Sequence, residues 1–148
     1  MTDRLTPPGQ RVVLAAVRGA EITVAECERA VADSAAGAVV AFTGVVRDHD
    51  GGRAVGGIEY VAHPGAGSVV TQVAHDLAVR FPVDAVAVLH RVGTLAVGDV
   101  ALAAAVSAAH RAEAFAAAAE LVEEIKRRLP VWKRQVFPDG SYEWTGSA

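Results

Sequence analysis

The chain has 148 residues, 52% of them hydrophobic and 21% charged, with a formal net charge of −3 and a single cysteine. That length suits one domain with a real core, and the composition is globular rather than disordered. The charge argues against nucleic-acid binding driven by the overall field, the lone Cys27 excludes an internal disulfide, and no signal-peptide run or apolar stretch of about 18 residues points to export or a membrane span.

The expected setting is a reducing cytoplasm, with Cys27 as a small buried apolar residue. Aromatic residues are only 5% of the chain, so the core must be built from small side chains on closely packed elements.

Residues 1–10 read as a loose tail, and residues 11–17 are β-branched enough for a strand. Thr23-Val-Ala-Glu26 matches a capping box, predicting a helix to about Ala36 with Gly37 as its stop. Residues 38–46 form a nearly continuous apolar run, which suggests a strand buried on both faces. It empties into a polar, glycine-rich segment over 47–57, expected to be a mobile loop. Residues 58–62 make a second strand. Val69, Val70, Val73, Leu77 and Phe81 recur at helical spacing, predicting a helix over 66–81 that ends near Pro82. Strands follow over 83–91 and 100–107, joined by a connector at 93–99. The longest helix is expected over 110–129. After Pro130 come a strand over 131–137, a turn at 138–141, and a short strand over 142–144 that pairs back. Helices separated by strand pairs favour an α+β domain over a doubly wound parallel sheet.

The stretch Lys126-Arg-Arg-Leu-Pro-Val-Trp-Lys133 carries cations on both sides of a proline. Proline disfavours helix in the residue before it and has no N–H to donate. Lys126 should therefore end a helix and Lys133 should lie on a strand. At about 100° per residue, with Phe115 at zero, Ala118, Ala119, Val122, Ile125 and Leu129 fall within roughly 80° of it. Lys126 falls about 20° away, inside that apolar stripe. Two readings stay open for it. It complements the helix dipole and snorkels outward, or it points into a partly closed pocket where burial lowers its pKa and frees it for proton or nucleophile chemistry. Arg127 and Arg128 fall on the solvated side. On the strand, Lys133 and Gln135 share one face, and Trp132, Arg134 and Val136 the other. If Trp132 packs inward, Lys133 points elsewhere, into a cleft at the corner.

His90-Arg91 ends one strand, and His110-Arg111 opens the long helix. An arginine beside free backbone N–H groups at a helix start suits an anion such as phosphate. Arg47, at the end of a buried strand, is a further anion contact. Five histidines with no i,i+4 pair give no metal-site spacing. The glycines at 44–57 fit neither a P-loop nor a dinucleotide fingerprint, and no GxSxG is present.

Four stretches then resemble one family in its own order: residues 37–47 (Gly-Ala-Val-Val-Ala-Phe-Thr-Gly-Val-Val-Arg), residues 90–99 (His-Arg-Val-Gly-Thr-Leu-Ala-Val-Gly-Asp), residues 107–115 (Ser-Ala-Ala-His-Arg-Ala-Glu-Ala-Phe) and residues 126–133. They look like the large, catalytic subunit of molybdopterin synthase. The resemblance implies an α/β hammerhead-like domain with an additional antiparallel sheet, and conversion of cyclic pyranopterin monophosphate to molybdopterin by sulfur transfer. Sulfur would arrive as a thiocarboxylate on the C-terminal Gly-Gly of a small ubiquitin-like subunit, and the large subunit would be a homodimer within a heterotetramer. The pterin is substrate and product, so no resident cofactor or metal is implied, nor any nucleic-acid or membrane partner. By motif, Lys126 and Lys133 would be catalytic, with Lys126 the principal group. Phe42, Val45, Val46, Arg47, His110, Arg111, Arg134 and Gln135 would line the substrate pocket. Gln135 stands where many members have a carboxylate, and Val122 is smaller than the side chain often found there. Many members run longer past Trp144, so any pocket contact from such a tail would be missing or supplied otherwise. The alternatives are a non-catalytic paralogue that binds the small subunit, and a phosphate-ligand or RNA-binding domain using the basic corner. The latter would want a wide basic face with exposed aromatics.

Overall fold

The structure is a computed structural model describing residues 3–146. Its elements are β1 (Arg11–Arg18), α1 (Val24–Ala30), β2 (Ala38–Val45), β3 (His49–Asp50), β4 (Arg53–Ala54), β5 (Gly57–Ala62), α2 (Ala66–Arg80), β6 (Val83–Arg91), β7 (Gly93–Ala96), β8 (Val100–Ala108), α3 (Arg111–Arg128), β9 (Val131–Val136) and β10 (Tyr142–Thr145). The α+β reading holds. One sheet has the order β1-β6-β8-β2, parallel only at β1–β6. The additional sheet, β10-β9-β5-β7, is antiparallel throughout.

The first sheet is covered on both faces. Helices α2 and α3 bury Val70, Val73, Leu77, Leu121 and Ile125 against Val86, Val88 and Val106, and each large side chain so buried contributes about 2 kcal/mol. On the opposite face, Cys27 and Val31 meet Ala85, Ala87, Leu89, Ala103 and Ala105. The alanines let the short helix α1 sit close to the strands. This is the small-side-chain core that the composition requires.

Several expectations are corrected. The tail is tied down over its described part. Arg4 pairs with the buried Asp84, and the Gln10 N–H donates to Val83 O at 2.9 Å. Met1 and Thr2 lie outside the described residues. Helix α1 stops at Ala30, because Asp33 Oδ1 accepts from the Ala35 N–H at 2.9 Å and turns the chain. Thr23 caps as expected, but Glu26 pairs with Arg18 instead of reaching back. Gly37 is needed for space: a Cβ there would lie 2.7 Å from the Ala109 carbonyl oxygen. Strand β2 is an edge strand with alternating exposure, and Val39 and Val45 face outward. Burial on both faces belongs instead to β6 and β8. The glycine-rich segment is a hairpin: Gly51 and Gly52 take φ of 57° and 77° between Asp50 and Arg53, the left-handed turn that matches strand twist. The 93–99 connector contains β7, an edge of the second sheet.

Among the described residues, no helix is long and apolar enough to cross a membrane. Cys27 is fully buried, and burial pushes its thiol up to about 11. It is therefore expected to resist thiol reagents at pH 8 in the folded protein and to react stoichiometrically once urea unfolds the chain. Fast labelling under native conditions would contradict this packing. His90, at the inner end of β6, is 2% exposed, and burial moves its pKa down to about 4. It stays neutral in the fold while the unfolded chain takes up a proton. Stability should therefore fall as pH drops from about 6.5 towards 4, by about 3 kcal/mol at most. Urea melts at pH 7 and pH 4.5 check this, with His90→Gln expected to lose clearly less than wild type over the same interval.

Candidate active site

The site is built at the break between α3 and β9. Leu129 is extended (φ −70°, ψ 118°), as the residue before a proline prefers. Pro130 O accepts from the His63 N–H at 2.9 Å, and the chain enters β9 alongside β5. In that register Tyr60 lies opposite Lys133, and Ile58 opposite Gln135. Alternation turns these four residues to the inner face. The outer face carries Glu59, Val61, Trp132 and Arg134. Trp132 is 56% exposed, so the strand has the opposite orientation to the one in which Trp132 packs inward, and Lys133 points into the cleft because the tryptophan points out.

Two adjoining recesses open at this corner. The larger, about 210 Å³, is lined by Val45, Val46, Arg47, His49, Asp50, Val55, Ile58, Tyr60, Lys126, Lys133 and Gln135. The smaller, about 70 Å³, is lined by Phe42, Gly44, Val45, Tyr60, His90, Ala101, Leu102 and Lys126. Lys126, Tyr60 and Val45 belong to both. A bigger cleft of about 800 Å³ lies under residues 3–8 and reaches His110 and Glu113. It contains neither lysine, so the convergent polar groups select the smaller pair.

The structure thus brings together Phe42, Val45, Val46, Arg47, Lys126, Lys133 and Gln135. Three expected pocket residues lie elsewhere in the chain. His110 caps the start of α3 and Arg111 is its first residue, sixteen and fifteen residues before Lys126, or roughly 22–24 Å along a helix. His110 Nε2 is 3.1 Å from Asp3 Oδ1. Arg134 is on the outer face, over the rings of Tyr142 and Trp144 at 5.0 and 5.9 Å.

The phase of α3 also differs from the sequence reading. Ala114, Ala117, Ala118, Leu121, Val122 and Ile125 are buried, while Phe115 is 62% exposed. The stripe is rotated, and Lys126 stands exposed at its edge, facing the recesses. Of the two readings open for Lys126, the exposed one fits its solvent contact, and the burial that the other required falls on Lys133. Its pKa is lowered, first by loss of water and then by the cations Lys126 and Arg47, with Asp50 opposing.

The sequence reading missed several lining residues. His90 is one half of a motif it singled out: Nδ1 is 2.8 Å from Arg91 O, and its ring meets Tyr60 edge-on at 5.1 Å. Tyr60 is buried, which raises its pKa. Asp50 and His49 come from the hairpin, whose Gly-Gly turn was the available signal. Gln135, 5% exposed, donates from Nε2 to Asp50 Oδ2 at 2.7 Å. A recess with two lysines, an arginine and one carboxylate can hold an anion and move protons.

Comparison with known proteins gives a consistent answer. The family model described as MoaE protein matches residues 17–128. A molybdopterin synthase catalytic subunit from Nostoc sp. is 37% identical over 131 residues, covering 87% of this chain and 79% of the relative. The crystal structure of molybdopterin synthase from Staphylococcus aureus superposes with a TM-score of 0.82 at 30% identity, covering 89% of this chain and 96% of that one. A complex of subunits 1 and 2 of molybdopterin-converting factor from Helicobacter pylori shares the fold, with a TM-score of 0.65 at 17% identity over 91% of this chain and 88% of that one. Together with the lysine corner, these likenesses establish that the chain belongs to the MoaE family, the catalytic subunits of molybdopterin synthase, enzymes of molybdenum cofactor biosynthesis.

Proposed function

We propose that the recess between Lys126 and Lys133 is where sulfur passes from the thiocarboxylated C-terminal Gly-Gly of a small ubiquitin-like subunit to cyclic pyranopterin monophosphate, forming the dithiolene of molybdopterin. The observation that carries this reading is the convergence of the two lysines, from helix and strand, on one cavity beside Arg47. Arg47 suits the cyclic phosphate. Lys126, common to both recesses, is the principal catalytic group and exchanges protons or forms a transient adduct at the reacting centre. Lys133 polarises the thiocarboxylate and balances developing negative charge. The pterin is substrate, and no resident metal or cofactor is assigned. The two-subunit Helicobacter pylori complex supports a small-subunit partner. Such chemistry on a soluble pterin suits the cytoplasm.

A homodimer accounts for His110 and Arg111. An apolar groove of about 320 Å³ runs between the free edge of β2 and α3, lined by Val40, Phe42, Phe115, Ala118, Ala119 and Val122. Residue 118 is midway between His110 and Lys126. A copy related by a two-fold axis near Ala118, with its α3 antiparallel, would bring a second His110-Arg111 pair beside Lys126. That places the anion-binding pair in the site without any change within the chain.

Reconstitution with a thiocarboxylated small ubiquitin-like protein, with detection of the dithiolene, tests the reaction. Lys126→Ala is expected to lose at least about 100-fold in single-turnover rate while keeping its circular dichroism; full activity would rule out the assignment. Because the cationic form of Lys133 is the working one, the rate should fall as pH rises through its lowered pKa. Lys133→Arg should abolish that alkaline limb, since guanidinium stays charged. Phe115→Asp should give a monomer by light scattering, with loss of turnover. A variant that stays dimeric would exclude the α3 groove as the interface.

A further inference from the structure

Asp50 is held from two sides. Its Oδ2 accepts from Gln135 Nε2 at 2.7 Å, and its Oδ1 from Arg47 Nη2 at 3.0 Å. The Gly51-Gly52 turn fixes where β3 ends, the Val55 N–H donates to Asp48 O at 2.8 Å, and the Gly56 N–H donates to Val136 O at 2.8 Å. The hairpin is therefore anchored to β9, the strand that carries Lys133 and Gln135. Among the residues lining the larger recess, Asp50 is the one acid, facing Arg47, Lys126 and Lys133. Tyr60 and His49 complete the titratable groups there. Gln135 offers only a neutral amide, which cannot balance a lysine. The acid it grips can.

We propose that the buried amide of Gln135 and the carboxylate of Asp50 act as one unit, with Asp50 the positioning residue and counter-ion that keeps the Lys133 ammonium directed into the recess. The inference deepens the sulfur-transfer reading and rests on it for its role in turnover. Asp50 acts through Lys133 and makes no bond to substrate. The mutual influence runs both ways: Asp50 opposes the lowering of the Lys133 pKa, and its own is lowered first by Gln135 and Arg47, with Lys133 adding to this. Either member of the amide–carboxylate pair could carry the charge, provided that the other carries the amide. A single exchange breaks this arrangement. Gln135→Glu sets two carboxylates against each other, and Asp50→Asn leaves none.

Two measurements test this, and they separate the ion pair from the reaction. In the first, side-chain NMR titration of the protein without partners follows Lys133, its signal assigned by loss in Lys133→Arg. In Asp50→Asn, Lys133 should titrate about one unit lower than in wild type. In the second, single-turnover dithiolene formation is measured with the thiocarboxylated carrier. Asp50→Asn and Gln135→Glu should each slow it about 10-fold or more, and the double exchange Asp50→Asn/Gln135→Glu should return it to within about threefold of wild type. A purely structural role for Asp50 would leave the Lys133 titration unmoved. That outcome, or a double exchange no faster than the slower single variant, overturns the proposal. A wild-type protein that forms no dithiolene while Lys133 shifts as expected would overturn the reaction and support the ion pair.

Discussion

The site depends on the missing N–H of Pro130. A helix cannot continue through that position without losing a hydrogen bond and forcing the preceding residue out of the helical region. Leu129 takes the extended conformation, α3 stops at Arg128, and the chain turns into β9. Eight residues of sequence, Lys126 to Lys133, thus put one lysine at a helix end and another on a sheet. The register of β9 against β5 then decides which face of the strand enters the cavity. Lys133 and Gln135 go in, and Trp132 and Arg134 go out. A slip of one residue would reverse all four.

The electrostatics follow from that geometry. Three cations, Arg47, Lys126 and Lys133, meet in a space of about 210 Å³. Such a cluster is costly unless an anion enters, and its cost favours an anionic ligand over water. Asp50 offsets part of it and leaves a net positive recess. Burial falls unevenly on the two lysines, and it is Lys133 that loses water. Beneath them, His90 and Tyr60 close the floor with rings rather than charges.

The corner itself was legible in the sequence because proline acts locally. The three helices and the longer strands were legible for the same reason, since periodicity and caps are local signals, whereas the short strands β3, β4 and β7 were not. The phase of α3 was not. Alanines at 114 and 117 are buried and Phe115 is exposed, so residue size misled where the core is built from small side chains. The burial of β2 was misjudged because an apolar run does not say whether a strand is central or at an edge. Its alternating exposure is that of an edge strand, with Val39 and Val45 on the exposed side and Val45 at the rim of the recesses. The hairpin bearing Asp50 was taken for a loop, although Gly51-Gly52 is a turn signal. The orientation of Arg134 follows from pairing with Glu59 across β5, a long-range register that no local pattern carries. The distance of His110 and Arg111 from the lysines is likewise a tertiary fact.

Lys126 and Lys133 line one cavity, and the proposed sulfur transfer requires that they serve one reaction there. A double-mutant cycle on the single-turnover rate of dithiolene formation tests it most directly, using Lys126→Ala, Lys133→Ala and the pair. Groups that act as a unit lose their effect together. If the lysines share one centre, the double variant is no slower than the slower single one, within about threefold. Losses that multiply independently would contradict a shared centre.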